Sequence, residues 1–328
     1  MESLRQLLTV KEYRRVPEIG MFIGVIMMPK PRKIPSVDMR PLLIIIGIAL
    51  ATFAILHLRR LAREKRFRQL AGTPLNSELV NRLRPHMPLY DYLPPALQRQ
   101  LQGLINVFLN DKHFQGAGGL AVTDEMRLTV AGNACLLLLN RSDPCFPRVK
   151  TILLYPDTLI THQVQQDGPI VHEGPSARLG ESWHRGPVIL SWADVLRGVN
   201  NPNDGHNVVL HEFAHKLDEE NGSMNGLPIL REHTDYPDWA RIMSTEFAHL
   251  IEQINHNHSR NRQRNRNSVI DEYGGASPAE FFAVATEAFF EEGQKMRKRL
   301  PELYAQLKQY YGVDPAKWQP RRDVNSAP

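Results

Sequence analysis

The pentad His211-Glu212-Phe213-Ala214-His215 carries the chemistry that can be read most directly from this chain. On a helix, side chains four residues apart share one face. His211 and His215 would then offer two imidazole nitrogens to a single divalent cation. Zn²⁺ is the cation that a His-Glu-x-x-His pattern takes, with the intervening glutamate placed to activate water. The flanks suit a helix. Val208, Val209, Leu210, Phe213, Ala214 and Leu217 make it mostly apolar, Asn207 can cap its start, and Asn221-Gly222 can end it. Two core histidines bonded to backbone would leave the same trace. The apolar surroundings favour the metal, because three polar groups buried together need a compensating partner.

A catalytic zinc keeps three protein ligands and one open position. Candidates for the third are Glu219, His233, Glu246, His249, Glu280 and Glu287. A third histidine six residues beyond His215 is absent, since that position is Asn221. Ser277-Pro278-Ala279-Glu280 opens a helix, with Ser277 as cap, proline in the first turn and Glu280 at the capping-box position. Glu287 lies seven residues further on, near the same face. Spacing alone leaves the choice open. Asp218 has two readings of equal weight, as a partner that orients a ligand imidazole and as a surface residue in the last helical turn.

Other elements must position these groups. Leu97, Leu101, Leu104, Ile105 and Phe108 recur at helical spacing, and further helices are expected over 123–140, 237–253, from Pro278, and over Pro301–Tyr311. Thr151–Tyr155 and Val188–Trp192 read as strands. The second of these precedes the motif and can present an edge to an extended peptide. Residues 164–182 read as a hairpin or loop. The Asn/Arg-rich tract 255–267 reads as a solvated, mobile loop; it has no aromatic residue for base stacking, so nucleic acid is not an expected partner.

At 328 residues the chain has room for one large catalytic domain or two smaller ones. Two cysteines, Cys135 and Cys145, make no disulfide framework, and reduced thiols are the default. Residues 41–58 carry no charged side chain and form a stretch just long enough to cross a bilayer. Arg59, Arg60, Arg63, Lys65, Arg66 and Arg68 follow directly, whereas a cleaved signal peptide would place its positive charge before the apolar run. A single-pass anchor in the inner (cytoplasmic) membrane is expected, with the C-terminal side in the cytoplasm. The expected organisation is a poorly ordered segment 1–40, a transmembrane helix 41–58, a basic juxtamembrane linker 59–86, a catalytic domain 87–316 and a disordered tail 317–328.

HEFAHKLDEENG, followed downstream by Asp271-Glu272-Tyr273 and SPAEFFAVATEAFF, resembles the Mlc titration factor A family of zinc peptidases. The likeness extends back through LLYPDTLI and GPVILSW and forward to PELYAQL, covering roughly residues 87–316. The resemblance implies an α+β, mostly helical zincin-like fold related to the lethal-factor catalytic domain. It implies one Zn²⁺ held by His211, His215 and, as in gluzincins, the glutamate of the family's D-P-A-E motif, here Glu280. Serine replaces that aspartate at position 277 and keeps the cap. Glu287 then becomes a supporting or core residue. Glu212 is implied as general base in peptide-bond hydrolysis and Tyr273 as a stabiliser of the transition state. The resemblance also implies a different role, the sequestering of the Mlc transcriptional repressor with little or no catalysis. The apolar anchor and the Asn/Arg tract depart from the family pattern.

Overall fold

The computed structural model describes residues 40–141, 145–157, 186–259 and 268–318, without the side chains of 40–44, 233 and 257–259. The expectations for residues 1–39, the hairpin or loop at 164–182 and most of the tail lie outside the described residues. The chain divides into a unit of residues 1–57 and a compact unit from Leu58 onward.

Helix α1 (Arg40–Ala71) contains the apolar stretch. A window of it reaches a mean hydropathy of 1.7 with none of that window buried, so the helix is long and apolar enough to cross a membrane. Within the second unit, the last turns of α1 pack Phe67, Leu70 and Ala71 against the core. α2 (Ser77–Leu83) follows, capped by Asn76, whose side-chain oxygen accepts the Leu79 N–H at 2.7 Å. Leu75 and Leu83 are buried. Residues 59–83, read from their charge as a linker, are therefore largely helical and packed, and the folded unit starts before residue 87. The basic run obscured this because its cations face solvent while a sparse apolar set turns inward.

α3 (Pro95–Asp111) leads into β1 (His113–Gly116), and α4 (Asp124–Leu136), capped by Thr123, leads towards β2 (Thr151–Tyr155). β3 (Val188–Ser191) completes a parallel three-stranded sheet in the order β1-β2-β3, with His113 opposite Thr151 and Ile152 opposite Val188. Ile152, Leu154, Val188 and Leu190 are buried. β1 escaped the sequence reading because His-Phe-Gln-Gly is short and only half apolar.

Ser191 ends β3 and caps α5 (Trp192–Asn200), accepting the Asp194 N–H at 3.1 Å. The remaining helices are α6 (Val208–Asp218), α7 (Tyr236–Ser259), α8 (Pro278–Glu291), α9 (Gly293–Arg299) and α10 (Pro301–Tyr311). α6 lies along α8, and this pair is the scaffold of the site. Phe213 of α6 anchors it by packing against Phe146 at 4.7 Å and Phe108 at 5.6 Å between ring centroids. α7 continues through Ser259, so the first residues of the Asn/Arg tract are helical rather than a loop; 260–267 lie outside the described residues. Trp318 is buried with its ring centroid 6.1 Å from that of Phe290, so folded structure extends past the tail boundary expected at 317. The described fold is mostly helical with a small parallel sheet.

Candidate metal centre

Asn207 starts the motif helix and does more than cap it. Its side-chain oxygen accepts the N–H groups of Val209 and Leu210, both at 3.2 Å, and its amide donates to Glu291 Oε1 at 3.0 Å and Asn133 Oδ1 at 3.2 Å. These bonds tie the first turn of α6 to the last turn of α8. The other end of α6 closes through a 3-10 turn (Glu219–Asn221) into Gly222 at φ 99°, a left-handed position that glycine adopts without strain.

One α-helical turn separates His211 from His215, and their Nε2 atoms lie 3.2 Å apart. Glu280, in the first turn of α8, brings Oε2 to 3.0 Å from His211 Nε2 and 3.4 Å from His215 Nε2. Ser277 Oγ caps that turn by accepting the Glu280 N–H at 3.2 Å. Among the described residues, His211, His215 and Glu280 form the cluster of donor atoms able to hold a metal ion.

The geometry of this cluster fits a divalent metal. Tetrahedral metal–ligand bonds of about 2.0–2.1 Å place ligand atoms about 3.3 Å from one another, close to the three separations found here. The hydrogen-bonding pattern points the same way. His211 Nδ1 lies 2.8 Å from Glu287 Oε1. With the ring proton donated there, Nε2 presents a lone pair towards a carboxylate oxygen. Glu280 Oε2 is buried and makes no well-formed hydrogen bond despite its short distances to both histidines. Converging lone pairs of this kind need a cation between them.

Electrostatics agree. Burial disfavours the charged form of His211, but the adjoining carboxylates of Glu280 and Glu287 outweigh it and push its pKa up to about 10. Burial likewise works against the Glu280 carboxylate, yet the two histidines hold its pKa down to about 2. With no metal bound, the carboxylates therefore favour a proton on His211, the charge that a bound cation would replace.

Glu212 lines a cavity of about 560 Å³ together with His211, His206, Asp194, Asp271 and Tyr273. Burial raises the Glu212 pKa, opposed by His211 and His215. Tyr273 sits on the 3-10 turn Glu272–Gly275, which Asp271 caps by accepting the Tyr273 N–H through Oδ1 at 2.9 Å. Its ring centroid is 5.9 Å from that of His211, and the residue is half exposed. Burial raises its hydroxyl pKa, reinforced by Glu280, Glu212 and Glu287, so the hydroxyl keeps its proton.

The other candidate ligands fall elsewhere. Glu219 is buried against Lys216 at 3.0 Å, and Glu246 lies 3.8 Å from His249 beside a separate cavity. The side chain of His233 is outside the described set. Glu287 supports His211 and also accepts the Asn207 backbone N–H. Asp218 is fully buried, which removes the surface reading. Glu291 escaped the sequence reading, since nothing in FFAVATEAFFEE marks which acid turns inward.

Two histidines from one helix and a glutamate from a second define the kind of site found in metallopeptidases. A family profile described as glucose-regulated metallo-peptidase M90 matches residues 59–312. An uncharacterized protein of Synechocystis sp. is 40% identical over 252 residues, 76% of this chain and 89% of that protein. Mlc titration factor A of Serratia proteamaculans is 32% identical over 241 residues (72% and 88%), and that of Yersinia pestis 29% over 232 residues (70% and 83%). The chain belongs to the M90 metallopeptidase family, which it shares with these Mlc titration factor A relatives.

Proposed function

We propose that the chain is a zinc-dependent peptidase with a zincin-like catalytic domain, in which His211, His215 and Glu280 hold one Zn²⁺. The carrying observation is the convergence of three donor atoms at 3.0–3.4 Å from one another beside a cavity lined by Glu212. Zinc, when bound, supplies a Lewis acid that polarises a carbonyl and lowers the pKa of water. Glu212 removes the proton of the attacking water and delivers it to the departing amine; its raised pKa makes it a better proton acceptor. Tyr273 donates its hydroxyl hydrogen to the developing oxyanion. β3 lies at one edge of the described sheet and offers backbone groups to an extended peptide.

The substrate is a peptide or protein in the cytoplasm. α1 anchors the chain in the inner membrane as a single pass, with the catalytic unit on the cytoplasmic side, where the arginine-rich run favours it. Replacing Glu212 by Gln is expected to leave one zinc per chain and to lower peptide hydrolysis by about 10²–10⁴-fold. Hydrolysis that survives in a zinc-loaded Glu212→Gln chain contradicts the mechanism.

The relatives' name supports a second reading, in which the chain holds a transcriptional repressor. Repressor binding that persists in Glu212→Gln while cleavage is lost would separate the two roles.

A further inference from the structure

Helix α1 is unbroken from Arg40 to Ala71, so the basic run continues the helical register of the uncharged stretch 41–58. Arg59, Arg63 and Arg66 stand at i, i+4 and i+7 and therefore share one face. All three are exposed. Lys65 and Arg68 point away from that face.

The cations of the run are not equally committed. Glu64 takes Arg60 at 2.9 Å and Arg68 at 3.8 Å. Arg66 donates to Asn110 Oδ1 of α3 at 2.6 Å, a neutral partner that leaves the guanidinium charge uncompensated. Arg59 and Arg63 form no ion pair or hydrogen bond among the described residues. One face thus carries three positive charges and no carboxylate to balance them.

The position of this face selects its partner. At 1.5 Å per residue, all three arginines lie within about 12 Å of the last uncharged residue. The headgroup layer on each side of a bilayer is about 5–8 Å deep, and a long arginine side chain can reach back towards it. Helical side chains also lean towards the N-terminus of their helix, which here is the direction of the uncharged stretch. A guanidinium fork matches the oxygens of a phosphate group. The end of this helix is held to the folded unit. An added Cβ on Gly103 of α3 would lie 1.9 Å from the Ala71 carbonyl oxygen, and Asn106 donates to the Thr73 carbonyl at 2.6 Å.

We propose that Arg59, Arg63 and Arg66 form a binding face for the phosphate headgroup of an anionic phospholipid. The inference rests on the reading of α1 as a membrane anchor. A lipid with net negative charge is preferred, because the choline of phosphatidylcholine already balances its own phosphate. The bound headgroup fastens the docked end of α1, and with it the folded unit, to the leaflet that the arginines face.

The test uses full-length chain in phosphatidylcholine vesicles that carry spin-labelled phosphatidylglycerol or spin-labelled phosphatidylcholine. Electron paramagnetic resonance gives the relative association of each lipid with the protein. Wild type is expected to prefer phosphatidylglycerol about fivefold or more at low salt, and the preference should fall at 0.5 M NaCl, where charges are screened beyond about 4 Å. The double variant Arg59→Gln, Arg63→Gln should lose most of the preference. The double variant Lys65→Gln, Arg68→Gln removes as much charge from the other faces and should keep it. Both pairs are exposed, so the thermal midpoint should not move in either variant. An equal loss in the two variants would overturn the face and leave only diffuse attraction. A wild-type chain that stays in the vesicles after an alkaline carbonate wash and shows no preference would overturn the proposal alone. A chain stripped from the vesicles by that wash would overturn the anchor reading, and this proposal with it.

Discussion

Glu287 holds the His211 ring from behind. Its two oxygens accept two N–H groups, from the His211 ring and the Asn207 backbone. A glutamine there has a single acceptor oxygen, so one donor must face another donor. Glu287→Gln is expected to weaken zinc binding about 10–100-fold and to lower stability by about 1–3 kcal/mol through the unsatisfied buried group. Chelator competition and chemical denaturation measure both effects, and an unchanged zinc affinity would show that Glu287 is only core. At this scale the motif histidines and Glu212 were legible because local spacing alone puts them on one helix face. The contact of Glu287 with His211 was not legible from spacing, since it depends on what a second helix brings opposite α6.

The site exists because α6 and α8 are locked together, and that contact carries a buried acid of its own. Glu291 Oε1 accepts from Asn207, its Oε2 has no hydrogen-bond partner, and burial pushes its pKa up to about 8, with Glu287 and Asp204 adding to the shift. An acid whose folded pKa lies above its unfolded value of 4.5 keeps its proton only in the folded state between those limits. Stability therefore falls as pH rises from about 4.5 towards 8. Glu291→Gln should raise the melting temperature at pH 8 and change it little at pH 4.5, and the same shift at both pH values would contradict a neutral Glu291. A second contact fixes the end of α1. An added Cβ on Gly103 would lie 1.9 Å from the Ala71 carbonyl oxygen, so Gly103→Ala should lower the melting temperature by about 5 °C or more. An unchanged melting temperature would show that α1 does not dock on α3. Strong periodicity made the long helices legible. β1 and α2 lacked it, and the charge of 59–68 masked the inward-facing Phe67, Leu70 and Ala71.

Across the whole chain, charge and apolarity are sharply sorted. Residues 59–68 carry six basic side chains and one acidic, a local +5 that equals the formal net charge of the full sequence. They adjoin the uncharged stretch 41–58. The full chain should stay with the membrane fraction after an alkaline carbonate wash, and deletion of 41–58 should release it. Full-length chain recovered in the soluble fraction would contradict the anchor. Composition made this organisation legible, whereas the limits of the folded unit depended on packing that no local pattern records, as with Leu83 at one end and Trp318 at the other.

The central claim is that three side chains from two helices hold one zinc ion. Elemental analysis of the purified full-length chain, wild type beside Glu280→Ala, tests it most directly. One zinc per wild-type chain and its loss from Glu280→Ala, with the folded state retained, is the predicted result. Equal zinc content in the two proteins would contradict the account and move the third ligand away from Glu280.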